Sequence, residues 1–176
     1  ISTEVITASI RSAQGRPFIE ADLARDQQSL RALGVFQDVK ISSRQLSDTE
    51  VQVVIDVSEN PVVKEISIIG NTALKTDDLM KVITQPVGQV LNLNNRKTTA
   101  DAIRELYATK GYFADVDFPT MADAPETLVV MVIETTVNDI VITGANRTRK
   151  YVLDRLMKTE PGKPFNQRTW ISDVRK

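Results

Sequence analysis

The chain has 176 residues, of which 41% are hydrophobic and 26% charged, and its formal net charge is −1. A charge so close to zero provides no general attraction to nucleic acid or to anionic lipid. The sequence contains no cysteine and no histidine, which excludes thiolate chemistry and removes the commonest general base and metal ligand.

The first predicted elements are two helices and two strands, at 3–10, 19–33, 35–42 and 50–58. Apolar residues alternate with polar ones along both strands, so each strand is predicted to bury one face. The residues expected on that face are Val39, Ile41, Val51, Val53, Ile55 and Val57.

The next segment repeats this order and begins with an additional strand. Its predicted elements are a strand at 63–69, a short helix, a helix at 94–109, and strands at 112–118 and 127–134. Thr76 or Asp77 is the predicted N-cap of the short helix. The order of elements is therefore βααββ.

The last segment begins the same order again. It is predicted to contain a strand at 137–143, a helix near 148–158 and a second helix from about 166. We therefore expect three copies of one module: 1–60 without its first strand, 61–135 complete, and 136–176 truncated before its last two strands.

Three sequence markers support this repeat. An alternating strand that ends at glycine occurs at 63–70 and again 74 positions later at 137–144. A glycine between the two helices recurs at Gly15, Gly88 and Gly162. A helix that ends at glycine before an aromatic strand start is found at Leu33-Gly34-Val35-Phe36 and at Thr109-Lys110-Gly111-Tyr112-Phe113.

The repeat resembles the POTRA domains of the BamA-type outer-membrane assembly proteins. The residues that carry the resemblance are Gly70 with Asn71, Lys110 to Phe113, Glu59 with Pro61, and Glu134. The third copy departs from the pattern, because Gly144-Ala145-Asn146 replaces Gly-Asn. The resemblance implies an α+β fold in which each module is a three-stranded mixed sheet covered by two helices.

The resemblance also implies a function. Such modules lie on the periplasmic face of the bacterial outer membrane, ahead of a C-terminal membrane barrel of the same protein. They receive unfolded outer-membrane β-barrel polypeptides and accessory assembly lipoproteins. The expected mode is β-augmentation, in which a client strand pairs with an open sheet edge. The candidate edge strand comprises Phe113, Ala114, Asp115, Val116, Asp117 and Phe118.

Other residues of the motifs have a simpler interpretation. Gly70 and Gly144 are interpreted as turn residues with positive φ, Gly111 as the turn that ends a helix, and Glu59, Pro61 and Glu134 as linker residues. Asp115 and Asp117 are expected on a solvated outer face, where they discourage aggregation, rather than in acid–base catalysis or calcium binding. Asp117→Pro replaces an outward residue, and it is expected to remove a donor, break the run of pairing groups and weaken client binding, whereas Asp117→Asn leaves binding nearly intact.

Several alternatives remain open at the level of sequence. The modules of a two-partner secretion transporter, a TamA-like transporter or a chloroplast import channel resemble the same pattern. A KH-type RNA-binding module also has two helices on three strands, but it requires a Gly-x-x-Gly loop that this sequence lacks. We expect no enzymatic activity, no cofactor and no nucleic-acid partner.

Overall fold

The computed structural model describes residues 1–144 and 155–175, and the chain divides into two compact units. The first unit contains residues 1–64 and 85–96, and the second contains 65–84 and the described residues from 97 onward. The helices are α1 (Thr3–Ala8), α2 (Glu20–Ala32), α3 (Thr76–Met80), α4 (Leu93–Thr109) and α5 (Gln167–Val174). The strands are β1 (Phe36–Ser47), β2 (Glu50–Glu59), β3 (Glu65–Ile69), β4 (Ala114–Asp117) and β5 (Thr127–Glu134).

The first unit contains an antiparallel hairpin of β1 and β2 that packs against α1 and α2. Its core is formed by Leu30, Phe36 and Val39, and the half-buried apolar residues around it include Ile41, Ile55 and Val57. Val51 and Val53 are half-buried but lie outside this cluster. The predicted apolar face is therefore only partly used as core.

The second unit contains a three-stranded mixed sheet in the order β3-β5-β4. β3 is parallel to β5, with Glu65 opposite Thr127, and β4 is antiparallel to β5, with Ala114 opposite Glu134. Together with the preceding helices, this arrangement confirms the predicted α+β fold class. β5 is the central strand, and its buried residues include Leu128, Val130 and Val132.

One contact between the second helix of a copy and the segment that precedes it occurs three times. In the first copy, the buried carboxylate of Asp26 on α2 accepts hydrogen bonds from the Arg11 and Ser12 amides, at 2.7 and 3.0 Å. In the third, Asp173 accepts from the Lys158 and Thr159 amides, at 2.9 and 2.8 Å. These carboxylates satisfy amides at the end of the preceding segment.

The middle copy has a neutral version of the same contact. The Thr99 hydroxyl on α4 accepts from the Thr84 amide at 3.2 Å, and the two hydroxyls lie 3.0 Å apart. Thr99 is itself buried. The position therefore tolerates a carboxylate or a hydroxyl, because both can accept a hydrogen bond from the same backbone group.

Two local expectations differ from the structure. The short helix α3 begins at Thr76, and its N-cap is Lys75, which makes no side-chain cap, so the predicted capping by Thr76 or Asp77 is wrong. Residues 137–143 form no strand, because the described part of the chain provides no neighbour to pair with them. The predicted helix near 148–158 lies largely outside the described residues.

The linker after β2 is hydrogen-bonded to the loop that precedes α4, within the first unit. The Leu91 amide donates to the Pro61 carbonyl at 2.9 Å, and the Val63 amide donates to the Gln89 carbonyl at 2.9 Å. The Gly88 amide donates back to the Val63 carbonyl at 2.7 Å. Both sides of the linker backbone are thus satisfied.

The linker after β5 has the same set of bonds 74 residues later, within the second unit. The Phe165 amide donates to the Thr135 carbonyl at 2.7 Å, and the Val137 amide donates to the Lys163 carbonyl at 2.9 Å. The Gly162 amide donates to the Val137 carbonyl at 2.7 Å. The recurrence shows that the connection between copies is part of the repeated structure.

Candidate functional site

The candidate edge strand β4 lies at one side of the second unit's sheet, and β5 is its one neighbour among the described strands. The Thr135 amide donates to the Phe113 carbonyl at 2.9 Å, so Phe113 faces β5 with its backbone groups. Backbone direction alternates along an antiparallel strand. The backbone groups of Asp115 and Asp117 therefore also point to β5, and those of Ala114 and Val116 point away from the sheet.

This alternation corrects the predicted effect of Asp117→Pro. The Asp117 amide points toward Met131 on β5, its register partner, and not toward an incoming strand. A proline there would remove a hydrogen bond within the sheet. Ala114 is the better position for such a test, because its amide points outward at the first residue of the strand.

The outward amides that follow the two aspartates are occupied by those side chains. Oδ1 of Asp115 accepts from the Val116 amide at 2.8 Å, and Oδ1 of Asp117 accepts from the Phe118 amide at 2.8 Å. Arg104 on α4 donates to Asp115 from Nε and Nη2, at 3.1 and 2.6 Å. The Arg104 guanidinium holds the pKa of Asp115 below its usual value. Asp115 is therefore more than a solvated residue.

The corresponding strand of the first unit has the same arrangement. Oδ1 of Asp38 accepts from the Val39 amide at 2.9 Å. The Val39 carbonyl accepts from Nε2 of Gln27 on α2 at 2.6 Å. Val39 and Val116 both bury their side chains in the cores of their units. In both copies, a side chain on the second helix thus reaches the edge strand or its aspartate.

Three aromatic side chains lie in sequence from the start of β4 to α5. The Phe113 ring stacks on Phe165, with centroids 6.2 Å apart and planes 14° apart, and Phe165 contacts Trp170 at 6.5 Å. Phe113 remains 47% exposed. The aromatic start of the edge strand thus packs on the loop of the next copy and still offers an apolar surface beside the strand.

Glu134 connects three parts of the middle copy and is not merely a linker residue. Its carboxylate accepts from the Thr72 and Ala73 amides, both at 2.8 Å, from the Thr72 hydroxyl, and from the Tyr107 hydroxyl at 2.7 Å. Burial raises the pKa of Glu134, but these donors outweigh burial and lower it. Burial and the neighbouring carboxylate raise the pKa of Tyr107.

Gly70 lies at the start of the turn whose Thr72 and Ala73 amides donate to Glu134. Its φ is +83°, and a Cβ built there would lie 2.1 Å from the Val132 carbonyl oxygen on β5. Asn71 follows, and its Nδ2 donates to the Leu74 carbonyl at 3.0 Å. Gly144 has a similar φ of +79° but no atom within 4 Å of its Cβ position. Of these two glycines, Gly70 is constrained by packing as well as by backbone conformation, and Gly144 by backbone conformation alone.

The remaining motif residues lie at the linkers. Gly111 has φ +85°, and its carbonyl accepts from the Gln167 amide at 2.8 Å. Glu59 is exposed at the end of β2. Asn60, which sequence patterns did not indicate, is buried and donates from Nδ2 to the Gly34 and Leu91 carbonyls, at 3.0 and 2.9 Å. These contacts are structural.

Neither metal binding nor membrane crossing finds support in the described residues. In residues 1–144 and 155–175, no three acidic side chains are arranged to hold a metal ion, including Asp115 and Asp117. No helix of those ranges is long and apolar enough to cross a membrane. The edge of β4 and the exposed Phe113 ring beside it remain features that an added strand could contact.

The fold and the repeated linkers define a tandem array of small α+β modules with an open sheet edge. A model of the POTRA family, described as a surface antigen variable number repeat, matches residues 1–60, 61–134 and 135–176. These matches cover the chain from end to end. The chain belongs to the POTRA family.

A curated relative and several solved structures are similar to this chain. The outer membrane protein assembly factor BamA of Nitratidesulfovibrio vulgaris is 26% identical over 113 residues, which are 64% of this chain and 14% of that protein. The chain thus spans a small part of its curated relative.

The structural similarities show the same fold. The N-terminal domain of Omp85 from Thermosynechococcus elongatus has a TM-score of 0.84 at 24% identity, and covers 98% of this chain and 77% of that one. POTRA1-3 of Omp85 from Anabaena has a TM-score of 0.72 at 22% identity, with 99% and 77% covered. CdiB from Escherichia coli has a TM-score of 0.51 at 20% identity, with 89% and 30% covered.

Proposed function

We propose that this chain is a periplasmic receptor region of an outer-membrane β-barrel assembly machine. Its ligands are unfolded barrel polypeptides, accessory assembly lipoproteins and the membrane barrel of the same protein. Its role is binding and positioning rather than catalysis. The similarity to an assembly factor of the BamA type supports this proposal.

The observation that carries the proposal is the edge position of β4. The outward backbone groups of Ala114 and Val116 have the spacing at which an added strand forms its hydrogen bonds. Main-chain pairing depends little on client sequence, which suits a receptor for many barrel polypeptides. Phe113 adds an exposed apolar ring at the start of the same edge, against which an apolar client side chain can pack.

A second candidate function is client capture in a two-partner secretion transporter. The similarity in fold to CdiB from Escherichia coli motivates it. Both functions use the same edge, and they differ in the client. Peptides from outer-membrane barrel strands and peptides from a secreted partner protein should therefore be compared in one competition assay. Preferential binding of the secreted-protein peptides would favour the second function.

The test of strand addition is the pair Ala114→Pro and Ala114→Ser. Proline removes the outward Ala114 amide and leaves the bonds between β4 and β5 in place, whereas serine keeps the amide. We expect the proline variant to bind extended barrel-derived peptides about tenfold more weakly, and the serine variant to bind like the wild type.

The readout is peptide titration followed by amide chemical shifts, with a thermal melt to show that both variants are folded. Strand addition predicts shifts centred on 113–118. Shifts confined to the helices, or equal affinity of the proline and serine variants, would refute docking at this edge.

A further inference from the structure

We propose that Asp115 and Asp117 guard the edge of β4, so that a docking strand must displace their carboxylates from the Val116 and Phe118 amides. The edge is then selective for extended segments that bring a basic side chain to this face. This inference rests on the proposed strand addition and specifies which strands are admitted.

The role of the two aspartates follows from the alternating direction of the backbone groups along β4. A docking strand must place its carbonyl oxygens on the outward amides, and the Val116 and Phe118 amides already donate to Asp115 and Asp117 at 2.8 Å each. A hydrogen bond to a carboxylate is stronger than one to a neutral carbonyl. Exchange of the carboxylate for a client carbonyl therefore opposes binding.

The two aspartates differ in how firmly they are held. Arg104 donates two hydrogen bonds to Asp115, at 3.1 and 2.6 Å, and is itself paired with Asp101 at 2.9 Å. Asp117 holds the Phe118 amide from the other end of the strand, and no ion pair joins it to a cation in the described part of the chain. We therefore expect a docking strand to displace the Asp117 carboxylate before it displaces the Asp115 carboxylate.

The displaced carboxylate determines which client is favoured. Asp115 and Asp117 are two residues apart on the strand and share one face of the sheet. Opposite charges on neighbouring strands attract, and like charges placed opposite each other are destabilising. A client lysine or arginine beside Asp117 compensates for its release, whereas a client glutamate adds repulsion.

The first unit shows that this arrangement is not an isolated contact. At the corresponding position of β1, Asp38 accepts from the Val39 amide at 2.9 Å and pairs with Lys40 at 3.2 Å. Gln27 covers the Val39 carbonyl on the same residue. Both backbone groups of Val39 are thus occupied, and the two edge strands use the same means to close an outward amide.

The experiment compares Asp117→Ala, which removes the acceptor, with Asp117→Asn, which keeps a neutral acceptor. Asp123→Asn is the charge-matched control, because Asp123 is exposed in the turn after β4. The probes are two alternating Val-Thr peptides that carry lysines or glutamates at the same positions. Amide exchange of Phe118, referenced to an unstructured peptide of the same local sequence, measures shielding without any client.

We expect the wild type to prefer the lysine peptide. In Asp117→Ala, we expect about tenfold faster exchange at Phe118 and about tenfold tighter binding of the glutamate peptide. Asp117→Asn should lie between the wild type and the alanine variant, and Asp123→Asn should change binding less than twofold. Gains of equal size in Asp123→Asn would show a general charge effect and overturn the proposal.

The measurement of amide exchange tests the shielding of the Phe118 amide separately from strand addition at β4. Unchanged exchange at Phe118 in Asp117→Ala would overturn the guard even if peptides bind at β4. Faster exchange without binding of either peptide would support the shielding and would reject strand addition itself.

Discussion

The two sheets contain equivalent strands, β2 and β5, in different surroundings. Among the strands that the structure describes, β2 of the first unit pairs with β1 alone, whereas β5 of the second unit has β4 on one side and β3 on the other. Val54 and Val129 occupy equivalent positions, 75 residues apart, on the face opposite the apolar row of each strand. Val54 is 44% exposed and Val129 is 2% exposed.

This difference shows what a third strand adds. The alternating pattern of β2 buries residues only in part, because one of its backbone edges has no partner in the described chain. In β5 both edges are paired, and four consecutive positions from 127 to 130 are buried or half-buried. The strand that is paired along both edges is thus also the one with more buried side chains, so residues that touch β3 or β5 should be the most sensitive to substitution.

The largest effect is expected for Gly70→Ala. The new Cβ would lie 2.1 Å from the Val132 carbonyl oxygen, and φ +83° is itself unfavourable for alanine. We expect a loss of about 3–4 kcal/mol of unfolding free energy, of which roughly 1–2 kcal/mol comes from the backbone conformation. Gly144→Ala has the same backbone cost with nothing near its Cβ, so about 1–2 kcal/mol is the upper limit there. Urea denaturation measures both, and equal losses would mean that the contact with β5 is unimportant.

The next effect distinguishes the two glutamates that end the last strands. Glu134→Ala removes the acceptor shared by Thr72, Ala73 and Tyr107, so we expect a loss of about 2–3 kcal/mol. Glu59→Ala removes a side chain that is exposed at the end of β2 and should cost less than about 1 kcal/mol. Thermal and chemical unfolding of both variants checks this order. A larger loss at Glu59 would contradict it.

A smaller effect concerns the pH dependence of the free energy of unfolding. It distinguishes Asp26 in the first copy from Thr99, its neutral counterpart in the middle copy. Burial raises the pKa of Asp26, but hydrogen bonds from the Ser12 hydroxyl and from the Arg11 and Ser12 amides lower it below the ordinary value. The folded state thus favours the carboxylate. Its stabilisation is complete above the unfolded pKa of about 3.9 and is lost as the pH falls through the folded pKa.

We therefore expect Asp26→Asn to lower stability by about 1–2 kcal/mol at pH 7 and to reduce the difference between pH 7 and pH 3. Thr99→Ser in the middle copy is the matched control, because it keeps a neutral acceptor and should leave that pH dependence unchanged. Midpoints of urea denaturation, measured for both variants between pH 3 and pH 7, would reveal this difference in pH dependence. An unaltered pH dependence in Asp26→Asn would contradict the assignment.

The sequence predicted the order of elements well because each depends on local periodicity. The alternation at 127–134 and the stop at Gly111 define β5 and the end of α4 without reference to distant residues. The choice of Asp117 for the proline substitution was wrong, because the side to which its amide points depends on which residues of β4 are hydrogen-bonded to β5. Register is a tertiary property that single-strand alternation does not specify.

The side-chain contacts were not predicted from the sequence, for a related reason. Glu134 was interpreted as a linker residue, although it binds a turn more than 60 residues earlier. Asp26 and Arg104 lie on helices whose charged residues look solvated in isolation. Alignment of the copies provides one usable signal, because Asp26, Thr99 and Asp173 occur 73 and 74 residues apart and each faces an amide near the end of the preceding segment.

The linker after β5 has a consequence for how the array unfolds. The Thr135 amide is bonded to Phe113 in the middle copy, and its carbonyl is bonded to Phe165 in the third. A single peptide segment thus completes hydrogen bonds on both sides, and the loss of structure in either copy leaves a partner in the other unsatisfied. Stability in such a chain is a nearest-neighbour property, so the middle and third copies gain cooperativity from the connection itself.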